Sequence, residues 1–196
     1  MILVSAYLLY YYFVGIKDPY ITGYVTDIQD NRALIISGEL DEDTDLFPAS
    51  WLRIPYLTQI TGDPKIGQKV EASVKDIITQ SYPSGGQASK MRVLPHPPYP
   101  EANLNKREVI ELSLNSIEEH KDAMRVLISD EDLLKGKMEP KASDRMRALT
   151  DITFNKDQLK WTITMVLIFN FDEEHKIIIN DSTGKVLEIA DSKEIQ

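Results

Sequence analysis

The sequence of 196 residues contains no cysteine. Without thiols the chain cannot form a disulfide framework, a thiolate zinc site, an iron–sulfur cluster or a lipid-modified N-terminal cysteine. Catalytic patterns are missing too, because no serine lies in a Gly-x-Ser-x-Gly elbow and no phosphate loop is present. The histidines His96, His120 and His175 stand in three separate segments without the spacing of metal ligands. We therefore expect a protein that is not an enzyme and that holds no cofactor or metal ion.

An excess of positive charge is also lacking, since the formal net charge is −9. Residues 17–100 carry 8 basic and 11 acidic side chains, a net charge of −3, and residues 101–196 carry 14 and 20, a net charge of −6. Affinity for nucleic acid comes largely from clustered lysine and arginine. The charge therefore argues against nucleic acid as a partner.

Acidic residues concentrate in Glu39–Asp45, where Asp41, Asp43 and Asp45 alternate as in a calcium-binding loop. An EF-hand loop needs glycine at its sixth position and a bidentate glutamate at its twelfth. Leucine occupies both positions here, at 46 and 52. The segment therefore predicts a solvated acidic loop rather than a metal site.

The first sixteen residues, Met1–Ile16, carry no charged side chain. As a helix, such a segment would be about 24 Å long, against a hydrocarbon core of roughly 30 Å. Its aromatic residues suit a membrane interface, and no cleavage site with small residues precedes Lys17. We expect a membrane anchor or an uncleaved signal-anchor, with a truncated signal sequence or a buried terminal segment as alternatives.

Four prolines between Pro95 and Pro100 stiffen the chain and predict a boundary between a domain at 17–97 and a domain at 98–196. Alternating apolar residues and turn signals predict five strands in the first domain: Tyr20–Gln29, Arg32–Ser37, Ser50–Leu57, a strand from Val70, and Lys90–Leu94. The first two form a hairpin, and a long excursion separates the third strand from the fourth. This arrangement predicts a small β-barrel of the OB type.

Three sequence motifs of this domain resemble a known family. They are Ile21-Thr22-Gly23 with the turn at Asp30–Arg32, Gly67-Gln68-Lys69-Val70, and Ser81-Tyr82-Pro83. Over about residues 19–95 the chain resembles the YobA-like family of small exported Bacillus proteins, a domain of unknown function. The resemblance implies an OB-like barrel and no particular activity. It also implies that both domains lie outside the cytoplasm, held at the cell membrane by the N-terminal segment or secreted.

The second domain is predicted to combine helices with an antiparallel sheet. Asn105 can cap a helix from Lys106, and the capping-box spacing of Ser116 and Glu119 predicts a second helix from Ile117. Gly136 would end a short helical turn at Asp130–Lys135. The predicted strands are Ala148–Phe154, Leu159–Phe171, His175–Asn180 and Lys185–Ile189.

The turn Asn180-Asp181-Ser182-Thr183-Gly184-Lys185 resembles the closing hairpin of PepSY-type domains, which implies one helix over an antiparallel sheet. The predicted fold class is therefore α+β: an apolar N-terminal helix, a five-stranded OB-like barrel and a PepSY-like domain. PepSY-like domains are associated with restraining partner proteins at the cell envelope, so the resemblance implies a protein partner there.

Aromatic and basic residues mark the surface on which OB folds bind ligands, across the second and third strands and the adjoining loops. Here that surface would include Trp51, Arg53, Tyr56 and Tyr82. Exposed rings would form a stacking platform, whereas buried rings would belong to the core. The sequence favours a non-catalytic, membrane-anchored binding or interaction module, and the alternative is an OB protein that binds oligosaccharide or nucleic acid.

Overall fold

The computed structural model describes residues 20–55, 59–79, 82–125 and 145–191. These residues form ten strands and one helix. In chain order they are β1 (Tyr20–Gln29), β2 (Arg32–Ile36), β3 (Ala49–Arg53), β4 (Gln59–Thr61), β5 (Lys69–Thr79), β6 (Ser84–Val93), α1 (Lys106–Arg125), β7 (Arg147–Asn155), β8 (Lys160–Leu167), β9 (Asn170–Asn180) and β10 (Val186–Asp191).

Five strands close into a barrel in the order β3-β2-β1-β5-β6, and a parallel pairing of β3 with β6 completes the ring. This closed barrel is compatible with the OB-like fold expected from the sequence. The short strand β4 adds to the edge of β6. Apolar side chains from every strand of the ring fill its interior: Ile21, Val25, Ala33, Ile35, Leu52, Val70, Ala72, Val74, Ala88 and Met91.

The hairpin of β1 and β2 forms where the sequence predicts it. Asp30 takes a φ of +52° in the two-residue turn, a conformation that aspartate tolerates better than most residues. Gly23 is required by close packing across the pair, since a Cβ at this position would lie 2.4 Å from the carbonyl oxygen of Ile36. The hairpin therefore depends on side-chain size at Gly23 as well as on its turn.

The second sheet is an antiparallel meander in the order β10-β9-β8-β7, and α1 packs on it. Asn105 and Glu108 form the capping box that starts the helix: Oδ1 of Asn105 accepts from the Glu108 N–H at 3.1 Å, and a Glu108 carboxylate oxygen accepts from the Asn105 N–H at 2.9 Å. The core between helix and sheet contains Val109, Ile110, Leu114, Ile117, Trp161, Ile163, Ile177 and Ile179.

The predicted fold class is wrong. Strands make up 53% of the structure and α1 is the one helix among the described residues, so the chain is mostly β rather than α+β. The PepSY-like domain is not shown. A second helix does not begin at Ile117, because Ser116 Oγ donates to the carbonyl of Ser113 inside a continuous helix instead of capping a new one. A turn at Ile168 and Phe169 also divides the long strand predicted at Leu159–Phe171.

The predicted N-terminal features also need correction or fall outside the structure. An apolar N-terminal helix is not shown, and Met1–Ile16 lies outside the described residues, as does the helical turn predicted at Asp130–Lys135. The predicted localisation, a cell-membrane protein with an N-terminal anchor, is contradicted: within the described ranges, no helix is long and apolar enough to cross a bilayer.

The barrel and the second sheet share a core along β2. Leu34 and Ile36 point out of the barrel and are fully buried against Ala148 and Val166 of the second sheet. The backbones approach closely beside this core, because a Cβ at Gly38 would lie 2.2 Å from the carbonyl oxygen of Leu149. The two sheets are therefore packed directly against each other.

Asp181 ties three parts of the second sheet region together. It is 1% exposed, and its carboxylate accepts four hydrogen bonds of 2.8 to 3.0 Å. The donors are the N–H and side-chain amide of Asn103, the N–H of Leu104 and the indole N–H of Trp161. Burial raises the pKa of Asp181, but these hydrogen bonds together outweigh burial and hold the pKa below its ordinary value.

We expect Asp181→Asn to lower the free energy of unfolding by about 2–4 kcal/mol. Asparagine replaces one of the two carboxylate oxygens with an NH2 group, which is a donor. In one orientation this group would face the two donors of Asn103, and in the other it would face the donors of Leu104 and Trp161. Urea denaturation measures the change. The control is Asp157→Asn, an exposed aspartate whose replacement should change stability by less than about 0.5 kcal/mol. Equal midpoints for the two variants would show that the buried carboxylate does not hold the fold.

The stabilising effect of Asp181 should disappear in acid. Its pKa is lower in the folded chain than the ordinary value of 3.8, so the unfolded chain binds the proton first as the pH falls. The contribution is therefore complete at neutral pH and is lost as the pH falls through the folded pKa. We expect the stability difference between the natural chain and Asp181→Asn to be smaller at pH 3 than at pH 6. An unchanged difference would contradict the assignment.

Candidate functional site

The structure separates the four residues predicted to bind a ligand. Trp51 is half-buried on β3 and packs against the core shared by the two sheets, whereas Arg53 is exposed at the end of the same strand. Tyr82 is half-buried and packs against the same shared core. Tyr56 lies outside the described residues. Trp51 and Tyr82 thus have a structural role on one side and an accessible surface on the other.

A groove of about 530 Å³ opens at the barrel end where β1 begins, and we call it the barrel-end groove. The loop between β2 and β3 forms one wall, and β5 and the start of β6 form the other. Its apolar lining is Ile21, Leu46, Phe47, Pro48, Ala49, Val74 and Tyr82. A mainly apolar cavity of this size is typical of a binding site.

Hydrogen bonds to Asp41 shape the acidic loop. One carboxylate oxygen of Asp41 accepts from the N–H groups of Asp43 and Thr44 and from the Thr44 hydroxyl, at 3.0 to 3.1 Å. The N–H of Asp41 donates to the carbonyl of Leu46, which brings the chain back on itself. No group of three or more potential metal ligands occurs within the part of the chain that is described. The turn instead sets Leu46 and Phe47 at the groove.

Tyr82 fixes the opposite wall. Its hydroxyl donates to the carbonyl of Phe47 at 2.7 Å, and its ring meets Phe169 edge-on with centroids 5.5 Å apart. Burial raises the pKa of Tyr82, so the phenol stays protonated and keeps this hydrogen bond at neutral pH. Tyr82 therefore connects the groove to the turn between β8 and β9 as well as to the β2–β3 loop.

Several polar groups that line the groove are hydrogen-bonded within the protein. The hydroxyl oxygens of Ser50 and Ser84 are 2.5 Å apart, and Ser84 Oγ also donates to the carbonyl of Ala49. Asp41 is held by its own loop. This arrangement suits the binding of apolar side chains.

The outer face of β2 and β3 is half covered. The part near the end of β2 and the start of β3 packs against the second sheet through Leu34, Ile36 and Ala49. The part near the start of β2 and the end of β3 is open and carries Arg32, Trp51 and Arg53. The Arg32 guanidinium lies 5.7 Å from the Trp51 ring centroid. Arg32 and Arg53 are directly opposite across the strand pair. Neither arginine forms an ion pair among the described residues, so positive charge is concentrated there.

A second crevice, of about 370 Å³, lies between the barrel and the second sheet. Lys69, Lys106, Glu39 and Asp151 contribute two charges of each sign to its lining. Burial lowers the pKa of Lys106, the charge of Lys69 lowers it further, and Asp151 partly opposes both effects. With balanced charge and mostly polar walls, this crevice selects no ligand class.

The barrel-end groove was not predicted from the sequence because its walls come from five separated segments. One signal was available in Arg32–Ile36, an uninterrupted apolar run after its first residue, which is typical of a strand buried on both faces. It would have revealed that the barrel carries another layer. The groove itself depends on the closure of the ring, which no local pattern encodes.

Comparison with protein families, curated proteins and solved structures finds no match for this chain. The resemblances to the YobA-like family and to PepSY-type domains therefore stay predictions. The fold and the surfaces described above are the basis for any functional argument.

Proposed function

We propose that this protein is a non-catalytic interaction module that binds a protein partner through the barrel-end groove. The observation that carries the proposal is the apolar groove of about 530 Å³, formed by Leu46, Phe47, Val74 and Tyr82. Apolar surface buried on binding contributes roughly 25 cal/mol per Å² before the costs of association are counted. Side chains of a partner that enter this groove would gain that stabilisation.

The exposed leucines of the acidic loop support the same proposal. Leu40 is 50% exposed and Leu46 is 37% exposed, and Leu46 lines the groove directly. The loop conformation that exposes them is stabilised by several hydrogen bonds to Asp41. Both leucines are thus held at the surface in a fixed loop, as expected for residues that contact a partner.

Photo-crosslinking tests the proposal. A benzophenone amino acid at position 46, in the full chain expressed in its source cells, should give a discrete adduct with a partner protein. The control position is Leu187 on β10, which is 46% exposed and outside the groove. An adduct at 46 and not at 187 is the expected result. No adduct at position 46, or the same adducts from both positions, would contradict binding at the groove.

The open end of the β2–β3 face supports a second candidate function, the binding of oligosaccharide or nucleic acid. Arg32, Trp51 and Arg53 combine a ring with two cations, and such clusters bind charged or planar ligands by stacking and charge attraction. The net charge of −9 disfavours a long nucleic acid, because most of the surface would repel it. This candidate therefore requires a short ligand at the arginine cluster.

We expect Trp51→Ala to weaken any binding of a single-stranded oligonucleotide or an acidic oligosaccharide by about 5- to 100-fold, the effect of losing one stacking contact. Because Trp51 also packs on the shared core, Arg53→Ala serves as a second variant that leaves the core intact. Leu187→Ala is the control. Fluorescence titration at low and physiological salt measures the affinities. If the natural chain binds neither ligand, or if both variants bind as it does, this candidate function is wrong.

A further inference from the structure

The last part of β5, beside the groove, is paired with a described strand on one side only. β1 pairs with β5 from Lys69 to Ser73, whereas β5 continues to Thr79 and pairs there with β6. On the side of β1, none of the described strands pairs with Val74–Thr79. Backbone N–H and C=O groups at such an edge can pair with another extended chain.

The edge and the groove are adjacent. Ile21 on β1 and Val74 on β5 lie at the end of the pairing between the two strands, and both line the groove. A segment placed beside Val74–Thr79 could therefore form backbone hydrogen bonds and insert alternate side chains into the groove.

The charge around the groove defines the partner's chemistry. Glu39–Asp45 carries five carboxylates, and Glu39, Glu42, Asp43 and Asp45 are exposed. None of these four forms an ion pair with a lysine or arginine of the described ranges. Asp41 of this loop lines the groove, and the exposed carboxylates of Glu42, Asp43 and Asp45 belong to the same loop. The loop side of the groove is therefore negative, which favours a ligand that combines apolar and basic side chains.

We propose that the partner contributes an extended segment, apolar at alternate positions and flanked by lysine or arginine, which adds as a strand to the edge of β5. Its apolar side chains enter the barrel-end groove and its basic residues face the acidic loop. The inference rests on the proposed interaction function and specifies how the groove is used. Irregular pairing of β5 with β6 near Lys75 and at Ile77–Thr79 limits the added ladder to a few residues.

The test uses four synthetic nine-residue peptides and the full chain. The parent peptide alternates valine and threonine between pairs of lysines. Two further peptides carry the same side chains but are N-methylated on one or the other alternate set of backbone amides, and the fourth has glutamate in place of lysine. Fluorescence anisotropy measures binding. Since only one set of amides faces β5, one N-methylated peptide should lose at least tenfold in affinity while the other binds like the parent.

Charge and groove variants complete the test. The glutamate peptide should bind at least tenfold more weakly than the parent, and Asp43→Lys should weaken the parent peptide by severalfold. Asp157→Lys is the matched control, because it changes the net charge equally at an exposed site in the turn between β7 and β8. Leu46→Ser should weaken the parent and the tolerated N-methylated peptide alike.

The outcomes distinguish this inference from the function on which it rests. Equal binding by both N-methylated peptides, or no binding by the parent, overturns strand addition, and crosslinking from position 46 would still support the groove as a binding site. Equal binding by the lysine and glutamate peptides overturns the role of the acidic loop. Sedimentation that shows a concentration-dependent dimer, dissociated by Leu46→Ser, would assign the groove to a second copy of the chain and overturn the proposal.

Discussion

The burial of β2 on both faces is the constraint on which the rest of the structure depends. Ala33 and Ile35 face the interior of the barrel, while Leu34 and Ile36 face the second sheet, and all four are inaccessible to solvent. A strand in this position cannot move relative to either core without opening the other. Fully burying an aliphatic side chain contributes about 1.5–3 kcal/mol, so the two outward residues alone give the junction substantial stability.

This junction decides which parts of the barrel surface remain for binding. An OB-like barrel generally presents the face of its second and third strands to ligands. Here the second sheet covers the part of that face that contains Leu34, Ile36 and Ala49. Two accessible regions flank the covered part: the arginine cluster around Trp51 and the barrel-end groove beside Tyr82. The first is cationic and the second is apolar and bordered by the acidic loop, so they suit different ligands.

The sequence predicted the first hairpin of the barrel well because its signals are local, whereas β6 begins at Ser84, six residues before the strand expected at Lys90–Leu94. The alternation in Tyr20–Gln29 and the turn at Asp30 specify the first hairpin, and the observed bounds of β1 are those expected. The second half was predicted less well because tertiary contacts overrode local signals. Ser116 has the spacing of a helix cap, yet its neighbours Leu114 and Ile117 are buried in one core that extends along a continuous helix. The groove was beyond local patterns, since Ile21, Leu46 and Val74 meet only after the ring closes.

The charge of the acidic loop opposes self-association through the apolar groove and the adjacent strand edge. Pairing two copies through this edge would bring two loops near each other, each with four exposed carboxylates. Like charges within a Debye length of about 8 Å at physiological salt repel, and that repulsion opposes the apolar gain. A basic partner would instead be attracted by the carboxylates of the loop. The loop therefore discriminates between a second copy and a basic segment, which the apolar lining alone cannot do, because apolar burial has no preferred sign of charge.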